Sequence, residues 1–135
     1  MRRLLVCLVM LAAPTTAFAA PSESGIWFGH GQPGDQLAMY LDQLRPNGDF
    51  LVHHRTCIKG KTLDQFASGH WSAAGNMVTI NIQTVNGRSE PRTDVYRTQS
   101  VDAKTWRYTY LPTNFAYSAQ RVAENFKMPS CELVS

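Results

Sequence analysis

Two adjacent histidines, His53 and His54, with Arg55 and Cys57 close behind, are the residues of this chain best equipped for chemistry. Imidazole and thiolate both ligate metals, and histidine titrates near neutrality. Their spacing argues against joint ligation. Successive side chains on a strand face opposite ways, so His53 and His54 cannot grip one ion together. His53 and Cys57 share a face but lie about 13 Å apart at ~3.3 Å per residue. A metal site would have to recruit His30 or His70 from other strands, so no metal and no cofactor is expected.

Arg55 shares a face with His53, and the two are the candidates for meeting a ligand's polar head. A second candidate set is Trp106, Tyr108 and Tyr110, which alternate along "KTWRYTYL" and fall on one face, either as core or as the aromatic wall of a ligand pocket. The chain contains no Gly-x-Ser-x-Gly elbow, phosphate loop or paired metal-ligand motif. Its serines and aspartates cluster in turns, where capping and Asx geometry place them. A non-enzymatic protein is expected.

These side chains need a scaffold, and the first segment to set aside is the N-terminus. Arg2 and Arg3, an apolar run from Leu4 to Ala13, and small residues ending "TAFAAP" read as a secretory signal peptide over 1–19, with Ala17 and Ala19 as the small-x-small cleavage pair. The apolar run is too short for a transmembrane helix, which needs about 20 residues. Cys7 falls inside it and would be lost with it. The remainder, 20–135, reads as one domain of a periplasmic or secreted protein.

The full chain carries 13 basic and 10 acidic side chains, a formal charge of +3. Removing Arg2 and Arg3 brings that charge to +1, far from the basic stripe that nucleic acid requires. Of three cysteines, Cys57 and Cys131 remain, and a pair in an oxidising compartment predicts a disulfide that pins the C-terminal tail.

Along the domain the hydrophobic period is near two. "GIWFGHG", "QLAMYLDQL", "FLVHHRTCI", "FASGHWSA", "MVTINIQTV", "TDVYRTQSV", "KTWRYTYL" and "AYSAQRVAENF" are eight strand candidates, the last with a period that also allows a short helix. In "MVTINIQTV", Val78, Ile80 and Ile82 point inward. "RPNGD", "KGKT", "AAGN", "NGRSEP" and "DAK" supply turns. Eight short strands in sequence predict an all-β antiparallel meander. Closing it into an up-and-down barrel removes both exposed edges, with an open two-sheet sandwich as the alternative.

The tetrapeptide Ser-Gly-x-Trp occurs twice, as "SGIW" at 24–27 and "SGHW" at 68–71. Each glycine permits close approach where a strand enters the sheet, and each tryptophan is bulky enough to plug a barrel end. Gly25, Trp27, Gly69 and Trp71 are therefore structural candidates. Gly25-Ile26-Trp27 also resembles the Gly-x-Trp of lipocalins and related calycin-type barrels. There the tryptophan closes the base and an arginine of the last strand packs across it, a place that Arg121 matches by order along the chain. The resemblance implies an eight-stranded barrel with an apolar ligand cavity.

Two functions follow as expectations. One is an exported barrel that binds an apolar or amphipathic small molecule in its interior. The other is a filled barrel that engages another exported protein through "HGQPGDQ" or "LPTNFAY", with Phe115 and Tyr117 as anchors. Interior volume separates them.

Overall fold

A computed structural model describes residues 20–31 and 37–133. The signal peptide and Cys7 lie outside the described residues, as does most of "HGQPGDQ". Eight strands follow in chain order: β1 (Gly25–His30), β2 (Ala38–Leu44), β3 (Asp49–Ile58), β4 (Lys61–Ala74), β5 (Met77–Val85), β6 (Arg88–Val101), β7 (Thr105–Tyr110) and β8 (Phe115–Arg121). Each pairs antiparallel with the next, and β8 returns to β1. The meander is a closed barrel, not an open sandwich.

Closure rests on the pairs Trp27↔Arg121, Phe28↔Gln120 and Gly29↔Ala119. No α-helix occurs among the described residues, and none of their helices is long and apolar enough to cross a membrane. The ambiguous last segment forms β8 only as far as Arg121. The chain then runs on irregularly to a 3-10 turn at Cys131–Leu133.

Tight hairpins set the register. Lys59-Gly60 and Asn86-Gly87 both hold positive φ at two successive residues, the geometry that matches strand twist in a two-residue loop. "KGKT" and "NGRSEP" thus spend only two residues on turning, and β4 and β6 each extend to 14 residues. In the β2–β3 turn, Asn47 Oδ1 accepts the Asp49 amide at 3.0 Å.

The start of β1, the β2–β3, β4–β5 and β6–β7 turns and the end of β8 gather at one end, the base. The β3–β4, β5–β6 and β7–β8 turns lie at the other end, the mouth. All three tryptophans are buried toward the base. Trp27 lies against Trp106 with centroids 5.8 Å apart, and its Nε1 donates to the Glu23 carbonyl at 2.8 Å. Trp71 Nε1 donates to the Arg45 carbonyl at 2.8 Å, tying β4 to the β2–β3 turn. Arg121 lays its guanidinium 4.2 Å over the Trp27 ring and donates to the carbonyls of Ser24 at 2.7 Å and Ser22 at 3.1 Å.

Beneath these rings the carboxylate of buried Glu23 accepts the Thr98 hydroxyl at 2.9 Å. That hydroxyl in turn accepts Trp106 Nε1 at 3.1 Å. Every indole N–H is satisfied, while Arg121 Nε and Ser24 Oγ remain buried without a hydrogen-bond partner among the described residues.

The two motif glycines solve different problems. Gly25 holds φ +146°, and a Cβ there would strike the Arg121 guanidinium. At Gly69 a Cβ would collide with the Asn81 backbone carbonyl, because β4 shifts register against β5 between Ser68 and Gly69.

Val78, Ile80 and Ile82 of β5 face the interior as their alternation predicts. A smaller apolar cluster sits on the outside of the wall, where Met39 packs with Cys57, Cys131, Phe28 and Met128. The Cys57–Cys131 disulfide, with a Cα–Cα distance of 5.4 Å, holds the C-terminal segment over that cluster.

Candidate functional site: a tyrosine-walled cavity at the mouth

The strands also position an interior cavity of about 350 Å³ between the tryptophan base and the mouth. That is the low end of the range for ligand pockets, about 300–1,000 Å³. Phe50, Val52, Ile80 and Ile82 supply apolar lining from β3 and β5. Five tyrosines, Tyr40, Tyr96, Tyr108, Tyr110 and Tyr117, arrive from β2, β6, β7 and β8.

Register explains how the rings meet. Tyr108 and Tyr117 are cross-strand partners, and their rings stack with centroids 5.5 Å apart. Tyr96 meets Tyr108 edge-on at 5.5 Å and Tyr110 at 5.2 Å. Tyr40 pairs with Gly29, where a Cβ would strike its ring, so the bare glycine lets the phenol lie across β1. The Tyr108 hydroxyl donates to the Tyr40 hydroxyl at 2.7 Å. Burial pushes the phenols of Tyr40, Tyr96 and Tyr108 above the usual range, so they stay protonated and available for hydrogen bonding.

The cavity's charged groups are unequal. Asp94 is supported by Arg92, with Nε 3.3 Å from Oδ2, and accepts the Tyr110 hydroxyl at 3.0 Å. Arg92 is half-exposed at the rim. His54 also lines the space; although its side chain is partly exposed, desolvation, with Arg92 and His53 adding to it, lowers its pKa. Asp42 differs from all of these. It is 8% exposed and lines the cavity, yet its carboxyl makes no hydrogen bond or ion pair among the described residues. Desolvation pushes its pKa up to about 7.

The expected ligand-facing residues divide. Tyr108 and Tyr110 line the cavity, while Trp106 lies below it in the base, 4.2 Å from the Tyr108 ring. His53 and Arg55 require correction: neither lines the cavity, because the alternation of β3 turns Phe50, Val52 and His54 inward and these two outward. Arg55 Nε donates to Asp64 at 2.8 Å, and its Nη1 donates to the Pro129 carbonyl at 3.1 Å, holding the tail. His53 stacks on Phe66 at 4.3 Å and also contacts Asp64. The Arg55 hydrogen bond, more than His53, draws the Asp64 pKa down.

Cys57 is committed to its disulfide and offers no thiolate, and no trio of His, Cys, Asp or Glu is grouped to hold a metal ion among the described residues. Tyr117, expected as a surface anchor, is a half-buried wall of the cavity, whereas Phe115 remains exposed beside the mouth.

Asp42, Tyr40, Tyr96, Tyr117 and His54 were not singled out in the sequence as cavity residues. One signal was present: Tyr40, Asp42 and Leu44 alternate along β2, as Phe50, Val52 and His54 do along β3.

A closed eight-stranded antiparallel barrel with a sealed base is consistent with a calycin-like fold. No protein-family model matches this chain, and no curated protein matches it either.

Proposed function

We propose that this is an exported, lipocalin-like barrel that binds an apolar or amphipathic small molecule in its interior and does not act on it chemically. The observation that carries the reading is the cavity of about 350 Å³ above a fully packed base. Phe50, Val52, Ile80, Ile82 and the tyrosine rings offer apolar contact, and the phenol hydroxyls, Asp42, Asp94, His54 and Arg92 offer polar groups that can orient a guest. A barrel with a filled interior, acting only through its loops, would have no use for that space.

Other features support the remaining parts of the reading. The Cys57–Cys131 bond suits an oxidising compartment. Processing after Ala19 would leave a short N-terminal segment whose Glu23 is built into the base, so the mature domain would begin where the barrel does. The Trp27–Arg121 stack supports kinship with lipocalins.

Native mass spectrometry of the protein purified from its own source tests the function. A small molecule retained on the folded chain and released on unfolding is the expected result. A co-purifying polypeptide with an empty interior would overturn the reading.

A further inference from the structure

Resting on that binding role, the question becomes which chemistry the interior selects. Asp42 sits within a wall of tyrosines, more than nine-tenths buried and aimed into open space, without a hydrogen bond or a cation against it among the described residues. The Asp42 carboxyl faces the cavity rather than being walled in by protein, and a carboxylate there, largely out of water and with no protein donor or cation, is costly to keep ionised unless the cavity's occupant supplies one. The other cavity carboxylate, Asp94, already has Arg92 and Tyr110. The unmatched group is thus acidic, and its missing partner is a donor or a positive charge. Aromatic faces attract cations through their quadrupoles, so stacked and tilted phenols around an acidic group form a site suited to an ammonium.

We propose that the cavity binds a small organic amine in its protonated form, with the ammonium at Asp42 and the apolar body among Tyr40, Tyr108 and Tyr117. Size agrees, since about 350 Å³ holds a single aromatic or short-chain amine. Charge also discriminates. An ionised Asp42 repels a carboxylate guest such as a fatty acid, while a neutral guest of the same shape leaves the acid without its counter-ion.

The raised pKa of Asp42 in the unoccupied barrel fits this arrangement. The groups that face the cavity with it are Tyr40, His54, Arg92, Asp94, Tyr96, Tyr108, Tyr110 and Tyr117, and burial rather than any of them accounts for the rise. An incoming ammonium stabilises the ionised form, so amine affinity should climb as pH rises toward 8.

The test is calorimetric titration of the disulfide-intact protein at about pH 8 with three isosteric probes: 2-phenylethylamine, 2-phenylethanol and phenylacetate. The amine is expected to bind at least about tenfold more tightly than either partner. The variant Asp42→Asn should erase that preference while retaining the weaker binding of the alcohol, with near-UV circular dichroism confirming an intact core. Equal affinity for amine and alcohol, or tighter phenylacetate, overturns the amine assignment and leaves the binding role standing. If none of the three binds and an apolar reporter dye is also refused, both fall. Should Asp42→Asn fail to fold, the pH dependence of amine affinity in the parent decides, and a flat profile refutes the proposal.

Discussion

Asp42 stands among tyrosines on the interior face of β2, and its energetics can be tested apart from any ligand. Its ordinary carboxyl pKa of 3.8 rises to about 7 in the folded barrel. The folded state therefore holds this proton more tightly than the unfolded chain. The stabilisation is fully present below about pH 4, declines as pH rises toward about 7, and is gone above that. Asp42→Asn should remove this slope and leave a protein more stable than its parent at pH 8, by on the order of a few kcal/mol. Urea denaturation of both proteins from acid to mildly alkaline pH checks it. Taking the difference isolates Asp42 from His54, whose lowered pKa makes stability fall on acidification instead. A parent and variant with parallel profiles would contradict the assignment.

Strand identity was legible in the sequence, but the facing of β2 was less so. Period-two alternation and Asn-Gly or Lys-Gly turns mark the strands because register and twist depend on them. Entering and along β2, though, Leu37, Met39 and Leu41 alternate against Ala38, Tyr40 and Asp42, and Met39 of the more apolar series packs on the outside. Met39 is buried there by the disulfide-held tail, a contact from the far end of the chain that local pattern cannot report. Tyrosine and aspartate face inward because a cavity, unlike a packed core, tolerates polar groups.

The same limit affected His53 and Arg55: "FLVHHRTCI" displays its two faces plainly, but which one is interior depends on pairing with β2 and β4. The repeated Ser-Gly-x-Trp was legible as a structural device, while its two distinct causes were not. Gly69→Ala probes one of them. The added methyl meets backbone rather than a movable side chain. A loss of about 1–3 kcal/mol is expected in chemical denaturation, typical of overpacking. An unchanged midpoint would mean that β4 and β5 separate freely at the bulge.

For the molecule as a whole, the tail and the barrel act as one body through a covalent tie spanning 74 residues. Replacing Cys57 and Cys131 with serine should lower stability by up to about 4 kcal/mol in the chain-entropy account. It should also release the segment after Arg121, uncovering Phe28 and Met39. Limited proteolysis gives the local readout: cleavage between β8 and the C-terminus should appear in the variant at protease levels the parent resists. Cavity occupancy should survive this change, because neither cysteine lines the interior.

Seven of the eight strand pairings join neighbours along the chain, and each can zip as soon as its hairpin exists. The eighth pairing, Trp27 with Arg121, and the sulfur bridge both require residues near the end of the polypeptide. A chain emerging amino end first must therefore wait, as an open curl with its first ribbon unmatched, until almost all of it has been delivered. During that interval Trp27 has no guanidinium above it, and the curl's free margins are exposed to partners that the finished molecule shuts out.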